Sequence, residues 1–308
     1  EVKDVSDSGV SCVVQNTNEI GERKGVNLPG VVTGLPPMSD KDKVDIKYGI
    51  EKDVDFVAAS FVCNAQGVEE IRSYIAECME EIRPGDLAPL IISKIESTEA
   101  MDNFDEILEV SDGIMVARGD LGVEIPMEEV VLAQKMMIEK CNAVGKPVIV
   151  ATQMLDTMQS NPRPTRAEVA DVTNAVCDGA DAVMLSGETS VGKYPVKVVE
   201  TMASIVAHVE STFDVKPNME NPPSLKNERF ITKVVCYNAA KIADQVGASA
   251  ILTMTFSGYT ALKIAGHRPK TKIIVFTANR QIMNQMSLVW GVEAFYYDNM
   301  ESTDQSFK

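Results

Sequence analysis

The sequence is poor in the side chains that build zinc cages and nucleophilic triads. Its 308 residues include only two histidines, His208 and His267, and one tryptophan. His208 falls in a helical pattern, and His267 falls in a different domain-like segment, so no Ser/His/Asp or Cys/His arrangement is plausible. The six cysteines are Cys12, Cys63, Cys78, Cys141, Cys177 and Cys236. None forms a C-x-x-C pair, and four lie in apolar or helical runs, which argues for reduced thiols in a cytoplasmic protein and against a zinc site. Basic residues are scarce as well: 29 Lys and Arg stand against 45 Asp and Glu, a net charge of −16. That excludes nucleic acid as a partner, because binding a phosphate backbone needs a basic footprint. An anionic substrate would instead need locally focused positive charge or a metal. No apolar run reaches membrane-spanning length, so no membrane partner is expected. The opening Glu1-Val2-Lys3-Asp4 does not read as a signal peptide. What is abundant is apolar content, 45%. The length suits two domains, or one large barrel with an appendage.

Residues 1–27 read as the end of a β cap domain: a turn at Asp7-Ser8-Gly9, a strand at 10–15 and a polar turn region at 16–24. Gly25-Val26-Asn27-Leu28-Pro29-Gly30 reads as a hinge. From residue 40 a β-then-α rhythm sets in. Ser39-Asp40-Lys41-Asp42 caps a helix to about residue 51. Strands follow at 54–61, 90–95, 113–117, 148–152 and 182–185, with helices at 65–82, 104–109, 127–144, 166–178 and 196–210. The strands are apolar throughout, as parallel strands buried on both faces are. The period suggests a (β/α)8 TIM barrel at 28–210. Only five such strands are legible, so three of eight are unaccounted for. The barrel reads as incomplete, and the sequence as truncated at its N-terminus. Segment 211–227, with three prolines and no periodicity, reads as a linker. Beyond it, 228–308 reads as a small open α/β domain, with helices at 228–246, 260–266 and 280–290 and strands at 250–254, 272–277 and 294–297.

Two stretches organise the chain: I-I-S-K-I-E-S at 91–97, and S-D-G-I-M-V-A-R-G-D-L-G-V-E-I-P at 111–126. Each contains an apolar run of buried-strand length that ends in charge. Lys94 and Glu96 sit two apart, so on a strand they share a side. Asp120 follows the next strand, just after Gly119. One cation and two carboxylates at adjacent strand ends can seat a divalent metal and an anionic substrate. A structural ion pair is the plainer account of Lys94 and Glu96. It loses ground because Thr152 and Asp120 end neighbouring strands on the rim where barrel active sites lie. An exposed loop is the plainer account of Arg118-Gly119-Asp120. Against it, Gly119 permits close backbone approach, and N–H groups leading into a helical turn attract anions. The hydroxyls of Thr152 and Ser186 would ordinarily bond backbone, yet both fall on that rim. Ser257-Gly258-Tyr259-Thr260 reads either as a plain turn or as a phosphate-binding strand–turn–helix junction.

Together with A-T-Q-M-L at 151–155, P-R-P-T-R-A-E at 162–168, M-L-S-G-E-T at 184–189 and K-G-V-N-L-P-G at 24–30, these stretches resemble the pyruvate kinase family over nearly the whole chain. The resemblance implies transfer of a phosphoryl group from phosphoenolpyruvate to ADP, giving pyruvate and ATP. It implies that Lys94 neutralises the phosphoryl group in flight and that Glu96 and Asp120 hold Mg2+ or Mn2+. It implies that the N–H groups of Gly119 and Asp120, with the Thr152 hydroxyl, hold the substrate carboxylate, and that Thr152 and Ser186 lie where the enolate is protonated. Thr255, Ser257, Gly258 and Thr260 match an effector phosphate loop, which implies a sugar-phosphate effector. A homotetramer in the cytoplasm is implied too. The family's first three barrel strands, with its K+ ligands and further nucleotide ligands, would precede residue 1. Two other classes stay open: a metal-dependent aldolase or lyase on the same barrel, and a non-catalytic binding protein. The first lacks a Lys two residues before the Glu, and the second predicts loss of Lys94, Glu96 or Asp120.

Overall fold

The computed structural model describes residues 1–15, 26–31, 34–213, 215 and 229–299. The polar turn region at 16–24, the Lys24-Gly25 start of the hinge motif and all of the linker segment 211–227 except residues 211–213 and 215 lie outside the described residues. The chain opens with an antiparallel hairpin, β1 (Val2–Ser6) and β2 (Gly9–Cys12). Its pairing runs on to Val13, whose N–H donates to the Glu1 carbonyl at 2.8 Å.

A β/α series follows: α1 (Asp40–Glu51), β3 (Phe56–Ala59), α2 (Ala65–Ile82), β4 (Leu90–Ile95), α3 (Thr98–Asp102), α4 (Phe104–Val110), β5 (Gly113–Ala117), α5 (Arg118–Glu124), α6 (Met127–Val144), β6 (Val148–Ala151), α7 (Arg166–Asp178), β7 (Ala182–Val183), α8 (Gly187–Ser190) and α9 (Pro195–Thr212). Local chemistry sets the ends. Ser39 with Asp42 and Thr165 with Glu168 form capping boxes at the starts of α1 and α7. Gly145 and Gly179, at φ 63° and 94°, close α6 and α7 in the left-handed conformation that glycine adopts without penalty.

The five strands form one parallel sheet in chain order, β3-β4-β5-β6-β7. Register pairs Ala59 with Ser93, Lys94 with Met115, and Ala117 with Ala151, so the carboxyl ends lie side by side. Alternation splits each strand between two apolar layers. Ile91, Ile95, Ile114, Val116, Val148 and Val150 pack against the helices. Ile92, Met115, Ile149 and Ala151 gather on the opposite face. Among the described residues β3 and β7 each have one strand partner, so the sheet is open on both sides.

The second unit comprises α10 (Phe230–Val246), β8 (Ala250–Met254), α11 (Tyr259–Ala265), β9 (Lys272–Thr277), α12 (Arg280–Gln285) and β10 (Val292–Tyr296). Its three strands are parallel, in the order β10-β9-β8. The helix expected over 280–290 is shorter, because Met286–Leu288 tightens into a 3-10 turn and Val289 is extended. This unit docks at the amino ends of β6 and β7. Arg268 donates to Asp181 at 2.6 Å, with both side chains 2% exposed. The other Asp181 oxygen accepts the Trp290 N–H at 2.9 Å, and Leu288 packs beneath the layer of Ile92, Met115 and Ile149.

Candidate functional site

At the opposite, carboxyl end of the sheet, the chain's polar strand endings converge. Lys94 is next to last in β4, on the face shared with Ile92 and Met115. Its Nζ meets Glu96 Oε1 at 2.6 Å and donates to Ser60 Oγ at 2.6 Å. Glu96 is 1% exposed and Lys94 23% exposed, so the carboxylate is sunk behind the ammonium. Lys94 is therefore less buried than its place in an apolar strand predicts. The second Glu96 oxygen accepts the Phe61 N–H at 2.6 Å, and Phe61 holds φ 53° to present it. A buried carboxylate needs such partners, because an unpaired one costs several kcal/mol.

The next strand end is a helix start rather than a loop. Arg118–Glu124 forms α5, with Leu121 fully buried beneath it. Gly119 and Asp120 lie in its first turn, where N–H groups have no intrahelical carbonyl to bond. Gly119 N donates to Thr152 Oγ1 at 2.7 Å, and that hydroxyl donates onward to the Ala151 carbonyl at 2.7 Å. A Cβ at Gly119 would sit 3.3 Å from Thr152 Oγ1, so glycine permits this approach. Among the described residues, the Asp120 carboxylate takes no hydrogen bond or ion pair, and it stands on the same rim.

Thr152 and Gln153 follow β6 with φ 70° and 54°. Two successive non-glycine residues in the left-handed region, one of them β-branched, store strain of the kind that gathers at functional sites. The strand expected over 182–185 is only two residues long, so Ser186 lies three residues past β7, just ahead of α8, and its N–H donates to Glu188 Oε2 at 2.8 Å. Glu188 is 1% exposed and also accepts the Leu155 N–H at 3.2 Å, which ties the β6 and β7 ends together.

Lys94, Glu96, Gly119, Asp120, Thr152 and Ser186 thus occupy consecutive ends of one sheet. Three groups that support them escape sequence reasoning. These are the Phe61 N–H, the Arg118 guanidinium on the Thr152 carbonyl at 2.7 Å, and Asp171, 2.7 Å from that guanidinium. The charge of Arg118 beside a buried-strand end was the one legible signal.

The residues fit a hard divalent cation in donor type. Glu96 and Asp120 offer carboxylate oxygens, the ligands that Mg2+ and Mn2+ prefer. Among the described residues no three His, Cys, Asp or Glu side chains gather as a cage. Two carboxylates, completed by substrate oxygens and water, is the pattern usual for Mg2+ at phosphate-handling sites.

The expected effector loop lies in the second unit. Gly258, at φ 75°, caps α11 and donates its N–H to Thr255 Oγ1 at 3.0 Å. Thr260 Oγ1 lies 3.2 Å from Thr253 Oγ1, and Ser257 is exposed. The Thr255 and Thr260 hydroxyls thus brace the turn from within, while Ser257 faces solvent.

A parallel β/α sheet with polar carboxyl ends, followed by an open three-stranded α/β unit, defines a (β/α)-barrel protein carrying an α/β domain. Residues 1–199 match the family model "Pyruvate kinase, barrel domain", and residues 233–308 match "Pyruvate kinase, alpha/beta domain". The chain belongs to the pyruvate kinase family. It is 50% identical over 292 residues to the pyruvate kinase of Bacillus licheniformis, which covers 95% of this chain and 49% of that protein. It is 45% identical over 305 residues to that of Clostridium acetobutylicum, covering 99% and 63%. A crystal structure of a pyruvate kinase from Cryptosporidium parvum superposes with a TM-score of 0.90 at 39% identity, covering 99% of this chain and 63% of that one. The chain spans about half the length of most of the curated relatives it matches.

Proposed function

We propose that these residues carry the phosphoryl-transfer site of a pyruvate kinase, which moves the phosphoryl group of phosphoenolpyruvate to ADP and releases pyruvate and ATP in glycolysis. The observation that carries this is the Lys94–Glu96 pair at 2.6 Å, beside the Gly119–Thr152 contact at 2.7 Å. Phosphoryl transfer asks little covalent chemistry of the protein and much charge placement. Lys94 is the cation for the phosphoryl group as negative charge spreads over its oxygens. Reaching it requires Lys94 to exchange its bond to Glu96 for one to substrate. Glu96 and Asp120 would hold the divalent cation, which would supply positive charge against the charge that develops on the substrate. The substrate carboxylate takes the N–H groups of Gly119 and Asp120 and the Thr152 hydroxyl. Each donor exchanges an existing bond for one to substrate: the Gly119 N–H now donates to Thr152 Oγ1, and the Thr152 hydroxyl to the Ala151 carbonyl. Thr152 and Ser186 flank the carbon that receives the proton when the enolate becomes pyruvate.

We read the K+ ligands and further nucleotide ligands as belonging to the part of the relatives' length that this chain does not span. We read 1–27 as the end of a β cap domain, 28–210 as the barrel portion, 211–227 as a linker and 228–308 as the effector-type domain. In that last domain Thr255, Ser257, Gly258 and Thr260 would receive the phosphate of a sugar-phosphate effector. A homotetramer in the cytoplasm fits the family. No helix among the described residues is long and apolar enough to cross a membrane.

The test is a coupled assay of pyruvate formation at the full length of the relatives, with Mg2+, K+ and ADP. Turnover that needs both phosphoenolpyruvate and ADP is the expected result. An aldolase or lyase would cleave a carbon–carbon bond without ADP, and a binding protein would do neither.

A further inference from the structure

Resting on the functional reading above, we infer that Arg118 and Asp171 are positioning residues: they clamp the Thr152–Gln153 turn in its left-handed form, and so aim the Thr152 hydroxyl at the substrate carboxylate. Thr152 and Gln153 hold φ 70° and 54° without glycine's freedom, and a β-branched residue is especially disfavoured there. Such a turn persists only where its surroundings over-determine it. Arg118 supplies that determination. Its Nη2 donates to the Thr152 carbonyl at 2.7 Å and lies 2.8 Å from Met154 Sδ. Its Nε donates to the Ala151 carbonyl at 3.3 Å. One planar group therefore touches residues on both sides of the strained pair.

The guanidinium is itself fixed. Nη1 donates to Asp171 Oδ1 at 2.7 Å and to Gln134 Oε1 at 3.4 Å, and the Arg118 side chain is 11% exposed. Asp171 comes from α7 and Gln134 from α6, so two helices of the outer layer fix a turn on the rim. The next residue, Gly119, meets the Thr152 hydroxyl with its N–H at 2.7 Å. Thr152 is held at its carbonyl by the Arg118 side chain and at its hydroxyl by the neighbouring backbone. A lysine cannot reproduce this, because it lacks the rigid fork that reaches both carbonyls and Asp171 at once. A merely structural ion pair would stabilise the fold but leave substrate binding independent of it.

The experiment is a double-mutant cycle at the full length of the relatives: wild type, Arg118→Lys, Thr152→Ala and the double variant, each assayed for kcat and for KM with phosphoenolpyruvate. Misplacing one contact group by an ångström can cost on the order of 10²-fold, so Arg118→Lys should lower kcat/KM by about that factor, chiefly through KM. The double variant should be no worse than Thr152→Ala alone, because Arg118 acts through Thr152. Losses that multiply in the double variant would overturn the assignment. Asp171→Asn, which keeps the side-chain shape, should reproduce the KM effect in a folded protein if Arg118→Lys does not fold. A normal KM for Asp171→Asn would count against the clamp. A crystal structure of Arg118→Lys or Asp171→Asn decides the positioning claim without turnover. The expected change is that residues 152 and 153 leave the left-handed region and the Gly119–Thr152 contact opens, and an unaltered turn would refute it. If the wild-type protein forms no pyruvate, the functional reading fails, and the crystal structure still decides whether the clamp holds the turn.

Discussion

At the scale of single residues, Lys94 and Glu96 present a buried carboxylate behind a partly exposed cation. In an isolated protein this is a neutral pair. At a phosphoryl-transfer site it is a pair whose members separate, one to the phosphoryl oxygens and one to the cation. If Lys94 is the cation for the phosphoryl group, as proposed, it acts mainly when charge peaks, so Lys94→Met should lower kcat by on the order of 10²–10³-fold or more while phosphoenolpyruvate still binds. Near-normal kcat with a raised KM would assign Lys94 to ground-state binding instead. Glu96→Gln keeps the acceptor for the Phe61 N–H but weakens the hard-cation site. It should raise the Mg2+ concentration needed for half-maximal rate, as a metal titration would read, and an unchanged titration would remove Glu96 from the metal.

At the scale of elements, the caps carry predictions of their own. Burial pushes the Glu168 carboxyl upward, yet hydrogen bonds from Thr157 and Thr165 outweigh it and leave the pKa below the usual 4.5. A lowered folded value means stability present above about pH 4.5 and lost as pH falls through the folded value. Glu168→Gln should therefore be less stable than wild type at neutral pH, by about 0.5–2 kcal/mol as for a lost cap. Denaturant midpoints of the two proteins should converge below pH 4.5. The cap at the start of α1 was legible because its signals are local: Ser39 and Asp42 stand three apart, ahead of the helix. The bounds of α2, β4, β5 and α6 were legible for the same reason. Of α5 only a helical turn after Gly119 was legible and not its extent, since Gly119 and Gly122 are poor helix formers and the segment is held by the burial of Leu121 and by Val130 against Gly122. The left-handed turn at Thr152 had no sequence signal, because the group that holds it comes from residue 118. The Lys94–Glu96 contact could be read from strand alternation alone; its depth, with Glu96 inside and Lys94 out, could not.

At the scale of the whole molecule, the second unit meets the barrel portion through buried charge. Lys263 of α11 donates to the Val144 and Gly145 carbonyls at the end of α6. Burial, then the neighbouring charges of Lys233 and Lys146, lower its pKa from 10.5 to about 8. Between those two values the unfolded chain holds a proton that the folded one has released, so stability should rise with pH from about 8 to 10.5. Lys263→Met lacks this titration. Wild type should gain on it across that interval, as paired denaturant curves would report, and a constant difference would contradict the lowered value. The open sheet bears on activity. A groove of about 480 Å³ lined by Val183, Leu185, Val199, Met202 and Val206 runs along the free side of β7. Unpaired parallel edges with exposed apolar side chains invite association, so the 308-residue chain by itself should aggregate or pair across its edges and form no ATP. The full-length protein should be a tetramer by light scattering, and a monomer at micromolar concentration would contradict that.

The claim that Lys94, Glu96, Asp120 and Thr152 form one phosphoryl-transfer site is tested most directly by following pyruvate and ATP together. The protein is taken at the full length of its relatives, with phosphoenolpyruvate, ADP and Mg2+, beside its Lys94→Met variant. Equal yields of pyruvate and ATP, dependent on the metal and all but lost in the variant, are the predicted result. Pyruvate and ATP formed as readily by Lys94→Met as by wild type, or no ATP from a well-folded wild-type protein, would contradict it.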